Sequence, residues 1–333
     1  MNKGYSKTEK RRALQPLLNC LSDILLPMQD NGLVFAVSGG ADSLALMESY
    51  VRLPGALPEN VCVATLNHGQ RQESAREVNQ VLSRAKLLGY QTFTEKYWRQ
   101  AQANEADLRQ WRYHMLHKCA DEQNLGSIVT AHHANDDAEG FIMDALGWGG
   151  GQSGSAMKKR RKSSKHLILR PFLSLSRSQL SLGLAAMGVR HLSLQDPSDE
   201  KDLNRRSLVR HEILPRLSMH KAKVADRLAR KAQEQAEIKD FMDNALVNLI
   251  REHPHEGLWI YPNEVRSSFV LQRVCKIALK RVAPSQDLRS SGRTLSSLCD
   301  KAISKGLKCN AVYQFSGAVI EVERDRLWVR ATR

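Results

Sequence analysis

Three short runs in the first 140 residues hold the side chains with the most chemistry in them: Ser38-Gly39-Gly40-Ala41-Asp42-Ser43, Asn67-His68-Gly69-Gln70-Arg71-Gln72-Glu73-Ser74, and Ala131-His132-His133-Ala134-Asn135-Asp136-Asp137-Ala138-Glu139. In the first run two glycines let backbone N–H groups approach an anion with no Cβ in the way. Ser38 and Ser43 add hydroxyl donors. An apolar stretch precedes the run and the helical pattern LALMESY follows it, so the N–H groups of a helix start point to the same place. A glycine turn followed by a Ser/Asp helix cap uses similar residues and is the competing reading of this run. The run has neither the lysine of GxxxxGK[ST] nor the spacing of GxGxxG. Asp42 in such a loop would repel a bare triphosphate, and a bridging Mg²⁺ is the natural reason for a carboxylate there.

What must position these runs is a set of alternating elements. Apolar runs at 33–37, 61–66, 91–95, 127–131 and 167–169 predict strands, and 43–52, 74–88, 105–124 and 136–147 predict helices between them. Strand and helix in strict alternation predict an α/β fold, a doubly wound parallel sheet. Ligands in such sheets bind beyond the carboxyl ends of the strands, where all three polar runs fall.

Composition narrows the class. The 333 residues carry 50 Lys+Arg against 35 Asp+Glu, a formal charge of +15, which points to a polyanionic partner or simply to a basic enzyme. At 42% hydrophobic and 26% charged the chain is neither disordered nor a membrane protein. It shows no apolar run of about 18 residues, and its basic start lacks the apolar core of a secretory leader. Cys20, Cys62, Cys119, Cys275, Cys299 and Cys309 include no CxxC pair, which argues against zinc ribbons, clusters and disulfide frameworks and fits a reducing, cytoplasmic setting. Glycine-rich 147–155 and the basic run KKRRKSSK at 158–165 are expected to be irregular and mobile. Residues 205–231 hold nine Lys/Arg against two Asp/Glu and read as helices broken near Pro215; about 245–333 reads as helices followed by a small sheet.

The SGGxDS loop resembles the PP-loop of the ATP pyrophosphatases. With Asn104 to Tyr113, Leu169-Arg170-Pro171-Phe172-Leu173, Asp196-Pro197-Ser198 and Val209 to Pro215 in order behind it, the chain resembles the tRNA(Ile)-lysidine synthetases over about the first 215 residues. The C-terminal unit is similar mainly in its length and strand-rich end. The resemblance implies a PP-loop ATP-binding catalytic domain at 1–215, a basic helical linker at 216–245 and a small tRNA-substrate-binding domain at 246–333. It implies adenylation of the wobble cytidine in the CAU anticodon of isoleucine tRNA and displacement of AMP by free lysine. ATP, Mg²⁺, tRNA and L-lysine would be the partners, in a cytoplasmic protein that often forms homodimers.

Residue by residue, the resemblance assigns ATP to Ser38, Gly39, Gly40, Ala41, Asp42, Ser43, Asn67 and His68, and Mg²⁺ to Asp42. Asp42, Arg112, His133, Asp136 and Glu139 become the catalytic group, and Asp136, Glu139 and Arg206 the lysine site. Paired carboxylates three apart on a helix face could hold an ammonium and ease its deprotonation, needed because such amines have a pKa of about 10.4. A first-turn acidic pair complementing the helix dipole, or a metal site with the two histidines, are the competing readings. Arg112 could neutralise charge at the α-phosphate. Arg205, Arg210, Lys221, Lys223 and Arg227 would grip tRNA; Arg206 and Arg210 could instead form salt bridges to Asp196 or Glu212.

The sequence departs from the family pattern at Asn135, at Gly140 where Thr is expected, around Asp144, Gly147 and Trp148, and at Asp199 and Ser207. A 2-thiocytidine enzyme, which would want cysteine pairs, and a catalytically silent RNA-binding relative are the alternatives.

Overall fold

The protein is described from a computed structural model covering residues 5–67, 74–97, 105–148, 156–194, 205–220, 223–253, 257–265, 267–283, 292–304, 311–315, 317–323 and 325–332. The chain divides into two compact units, 1–142 with 157–230 and 143–156 with 231–333.

In the first unit the run Leu33–Ala36 (β1) lies buried in the middle of a six-stranded sheet. It pairs in parallel with β2 (Val61–Asn67) and β4 (Ser127–Val129). β3 (Gln91–Lys96) extends the sheet beyond β2, and β6 (His166–Leu169) beyond β4, both in parallel. The two faces of β1 feed two cores, as a period of two demands. Leu33 and Phe35 pack with Leu46, Tyr50, Leu17 and Leu21, whereas Val34 packs with Leu116, Cys119 and Ile128. The crossovers are α2 (Ala41–Tyr50), α3 (Ser74–Leu87), α4 (Glu105–Glu122) and α5 (Ala134–Ala145). Chain order reverses between β1 and β4, the switch point at which doubly wound sheets open a crevice. The expected α/β fold and its alternation are therefore present, with ends shifted by a few residues.

Several elements depart from expectation. An N-terminal helix, α1 (Lys7–Leu25), is opened by a reciprocal Ser6/Glu9 capping box and buries Leu17, Leu21 and Leu25 at helical spacing. It packs on α6 (Arg177–Ala186), where Gly183 permits close approach: a Cβ there would lie 2.7 Å from a Leu17 methyl. The basic run 158–165, expected to be irregular, instead forms the edge strand β5 (Arg160–Ser163), antiparallel to β6. Its charges do not prevent pairing, because an edge strand keeps its side chains in water, and charge on an edge is a common protection against aggregation. Ser164, at φ 54°, makes the tight turn into β6. Residues 149–155 of the glycine-rich stretch lie outside the described residues.

Near Pro215 the helix does not break. Arg205–Leu208, a π-helical turn Val209–Ile213 and Leu214–His220 run end to end, together α7. The wide turn absorbs the proline, which has no N–H to donate and would clash with a carbonyl one α-turn back.

A long helix, α8 (Val224–Leu246), carries the chain from the first unit into the second. There β7 (Ile250–His253) and β8 (Gly257–Ile260) form a hairpin before the helices α9 (Ser268–Val282) and α10 (Gly292–Ser304), where the sequence pattern predicts only helices. With β9 (Val312–Phe315), β10 (Ala318–Glu323) and β11 (Arg326–Ala331) it makes an antiparallel sheet in the order β7-β8-β11-β10-β9. Leu271, Val274 and Leu298 pack against Ile260, Ile320 and Leu327 to form its core. Among the described residues no helix is long and apolar enough to cross a membrane.

Candidate active site

The loop after β1 is drawn tight by its own side chains. Ser43 Oγ accepts the N–H of Ser38 (3.2 Å) and donates to the carbonyl of Gly40 (3.0 Å). Gly39 adopts φ +88°, and its carbonyl accepts the Leu194 N–H at 3.0 Å. A Cβ on Gly39 would fall 2.4 Å from a Leu194 methyl, so this position requires glycine twice over, for conformation and for space. Gly40 caps α2 without a side-chain hydrogen bond, leaving the first N–H groups of the helix to an anion.

These residues form one wall of a cleft of about 300 Å³, lined by Ser38, Gly40, Asp42 and Ser43. A second wall comes from α4, where Arg109, Arg112, Tyr113 and Leu116 share one face at spacings of three and four. The third comes from the end of β4 and the start of α5, with Thr130, His132 and Asp136, and Arg210 reaches in from α7.

Polar contacts join the walls. His133 Nε2 lies 3.3 Å from Asp42 Oδ2, and His133 Nδ1 lies 3.5 Å from Asp136 Oδ2, an ion-pair separation without an aligned hydrogen bond. Asp136 Oδ2 instead accepts the backbone N–H of His133 at 2.9 Å, as the third residue of a capping box does at a helix start. On the far side of the acids, Arg206 donates to Asp136 (3.0 Å) and Glu139 (2.9 Å), and Arg210 binds Glu139 through Nε (2.8 Å) and Nη2 (3.0 Å). Two arginines four apart on α7 thus grip two carboxylates three apart on α5.

The charges follow from this arrangement. Burial works against a charged His133, but the Asp42 hydrogen bond and the Asp136, Asp42 and Glu139 carboxylates outweigh it and raise its pKa. Burial likewise favours a neutral Asp136, yet His133, His132, Arg206 and the His133 amide hold its pKa below the usual carboxylate range. His132 is pushed down to about 4 by burial, Asp136 opposing and Arg170, Arg109 and Arg206 assisting; its Nδ1 meets Thr130 Oγ1 at 2.8 Å.

Of the residues singled out from sequence, the structure gathers Ser38, Gly39, Gly40, Ala41, Asp42, Ser43, Arg112, His133 and Asp136 at this cleft. Glu139, only 2% exposed, is bound to Arg206 and Arg210. The two arginines therefore pair with Asp136 and Glu139, whereas Asp196, the other carboxylate expected for them, lies outside the described residues. Asn67 closes β2, its carbonyl accepting the Tyr97 N–H at 2.8 Å. Arg205, Lys223 and Arg227 are exposed on α7 and α8 or just before them. His68 and Lys221 lie outside the described residues.

Sequence reasoning missed Arg109, Tyr113, His132 and Arg170. Arg109 is legible from its spacing of three to Arg112, and Tyr113 from its spacing of four to Arg109. His132 stands beside His133 in the same polar run, and Arg170 sits in the stretch LRPFL, where no spacing marks one residue above its neighbours.

Among the described residues, no group of three or more His, Cys, Asp or Glu is arranged to hold a metal by itself. None of the described residues lining the cleft is a cysteine.

The family described as the PP-loop domain matches residues 8–217. The tRNA(Ile)-lysidine synthase of Zymomonas mobilis is 30% identical over 297 residues, covering 86% of this chain and 87% of that protein. That of Ruegeria pomeroyi is 35% identical over 189 residues, covering 56% and 44%, and that of Streptococcus sanguinis 28% identical over 232 residues, covering 70% and 51%. The chain thus spans about half the length of several of its curated relatives. Among solved structures, the U34-tRNA thiolase from Methanococcus maripaludis superposes with a TM-score of 0.54 at 15% identity, covering 68% of this chain and 78% of that one. That likeness is one of fold.

Proposed function

We propose, from the premise that this chain belongs to the tRNA(Ile)-lysidine synthase family of PP-loop proteins, that it is a tRNA-modifying ligase converting the wobble cytidine of a CAU-anticodon isoleucine tRNA to lysidine. The observation that carries the reading is the Ser38–Ser43 loop, whose glycine-capped helix start opens into the same cleft as Arg112 and Asp136. The loop N–H groups and hydroxyls suit the diphosphate end of ATP. The cytosine C2 oxygen attacks the α-phosphorus, diphosphate leaves, and the lysine side-chain amine then attacks C2 and releases AMP. Arg112, Arg109 and Arg210 line the same cleft, and positive groups already in place would lower the cost of charge developing at the α-phosphate.

Asp136 and Glu139 are the carboxylates available to a lysine ammonium, and the lowered pKa of Asp136 keeps it ionised for that role. Their guanidinium partners mean that an incoming ammonium shares or exchanges those contacts. Asp42 fits Mg²⁺: its carboxylate is 30% exposed beside the anion loop, and Mg²⁺ is commonly held by one or two carboxylates plus substrate phosphates. When bound, the ion would neutralise phosphate charge. Arg205, Lys223 and Arg227 supply exposed cations for tRNA, and the second unit a further substrate-binding surface. A homodimer in the cytoplasm completes the reading by resemblance.

The test follows α-³²P-labelled ATP with unmodified tRNA. AMP release that requires both tRNA and lysine, with lysine incorporated into the tRNA, is expected. Release that requires a sulfur donor instead, or tRNA retention without turnover, would refute it.

A further inference from the structure

The run 158–165 has no assigned part in this chemistry, yet it is built into the rim of the cleft. The Met157 N–H donates to Asp137 Oδ1 at 2.9 Å, one residue from Asp136. Arg170, only 3% exposed, donates from Nη1 to the Lys158 carbonyl at 2.8 Å, and its own N–H goes to the Lys159 carbonyl at 2.8 Å. The same guanidinium is hydrogen-bonded to Tyr113 of the cleft wall. A buried arginine thus bolts the base of the hairpin to the site.

From that base the strand runs antiparallel down the open edge of the sheet. Arg160 pairs with Leu169 at the carboxyl end, where the cleft lies, and Ser163 with His166 at the other. Alternation sends Arg160 and Lys162 to one face and Arg161 to the other. Arg160 reaches the Asp23 carbonyl of α1, while Arg161 is felt electrostatically by His117 of α4. Lys158, Lys159, Arg160, Arg161, Lys162 and Lys165 are all exposed. Lys165 pairs with Asp121, but among the described residues no carboxylate pairs with Lys159, Arg161 or Lys162. A solvated helix or strand face ordinarily mixes its charges; this one carries a single sign on a fixed backbone leading away from a nucleotide cleft.

We propose that the β5 edge is a phosphate-backbone rail, along which an RNA strand lies when its target base enters the cleft. The inference rests on the tRNA reading above and adds to it a surface and a contact class. The chemistry is sequence-independent, because lysines and arginines presented along an edge recognise phosphates, not bases.

The test compares wild-type protein with the triple variant Lys159→Gln, Arg161→Gln, Lys162→Gln and with the charge-keeping variant Lys159→Arg, Lys162→Arg. Unmodified isoleucine tRNA and a non-cognate tRNA are titrated by fluorescence anisotropy between about 50 and 200 mM salt, and ATP binding is followed separately by calorimetry. Thermal melting confirms that each variant is folded. Every phosphate that is no longer neutralised takes roughly 0.7–0.9 from the slope of log K against log salt, so the slope of the triple variant should be shallower by about 2. Its affinity should fall at least about tenfold for both tRNAs, with ATP affinity unchanged and the charge-keeping variant like wild type.

An unchanged slope and affinity in a wild-type background that does bind tRNA would overturn the rail and leave the proposed function standing. Aggregation of the triple variant with the slope unchanged would show that the cations only guard the sheet edge. Wild-type binding to anionic lipid vesicles that the triple variant loses, with tRNA binding intact, would assign the edge to a membrane and refute the RNA assignment. Failure of wild type to bind either tRNA would remove both readings together.

Discussion

Arg210 holds Glu139 by two parallel bonds, Nε to Oε1 at 2.8 Å and Nη2 to Oε2 at 3.0 Å, and so fastens α7 to α5. Glu139 is 2% exposed whereas the Arg210 side chain is 30% exposed, so the carboxylate is the partner that water cannot rescue. Arg210→Gln should therefore cost about 3 kcal/mol of stability, since breaking a buried pair leaves its charge undercompensated. The double variant Arg210→Gln, Glu139→Gln should recover part of that loss. Urea denaturation of wild type, both single variants and the double variant measures the coupling; additivity within about 0.5 kcal/mol would show that the pair does not hold the helix.

Asp136→Asn tests the acidic pair as a lysine site. Asparagine keeps an oxygen for the His133 N–H, so α5 stays capped, but loses the charge that an ammonium would meet. The KM for lysine should rise about tenfold or more, the worth of a charge-assisted hydrogen bond, while the Kd for ATP stays within about twofold. A normal lysine KM with normal turnover would take Asp136 out of the lysine site.

The two glycines of the loop should respond differently to the same change. Gly39→Ala forces a side chain into φ +88° and against Leu194, and should destabilise the fold by about 1–3 kcal/mol. Gly40 has φ −64° and its Cβ would sit 3.6 Å from Ser38 Oγ, an ordinary contact. Gly40→Ala should therefore unfold within about 0.5 kcal/mol of wild type yet bind ATP more weakly, because the methyl group stands where phosphate would approach. Denaturation and ATP calorimetry on both variants check this, and undiminished ATP affinity in Gly40→Ala would remove that residue from the cradle.

Adjacent histidines should titrate in opposite senses. With His132 pushed down to about 4, the unfolded chain binds a proton there that the folded one does not between about pH 4 and its ordinary 6.5. Stability should therefore fall as pH drops through that window, and His132→Gln should flatten the fall. His133, whose pKa is raised, adds stability that is complete below 6.5 and fades as pH rises through its folded value. Imidazole ¹⁵N shifts against pH separate the two; equal titration midpoints would contradict the site's electrostatics.

What the sequence disclosed and what it withheld divide along physical lines. The apolar runs of β1, β2 and β4 are buried on both faces, and their alternation with helices is enough to specify a parallel sheet. The SGGADS and HHANDDAE runs are local, so their chemistry is legible without any partner. The arginine clamp is not local: Arg206 and Asp136 stand 70 positions apart, and only folding shows that the acids already have cationic neighbours. The run KKRRKSSK misled because its charges repel in an isolated chain, whereas β6 supplies an edge on which a charged strand pairs at no desolvation cost. The β7–β8 hairpin was overlooked for a related reason, since it completes its sheet only with β11, far along the chain.

The π turn in α7 has a consequence for protein engineering. Leu214 donates its N–H to the carbonyl of Val209, five residues back, and both side chains are buried. In an ordinary α-helix, residues five apart point about 140° away from each other, so only a widened turn lets both face inward. The surplus residue lets the arginines upstream and Leu214 downstream satisfy different neighbours at once, as a leap day reconciles two calendars. Removing exposed His211 or Glu212 would look like harmless trimming, yet it would rewind everything beyond it, expelling Leu214 from its seat while leaving every side chain of the cleft in the sequence.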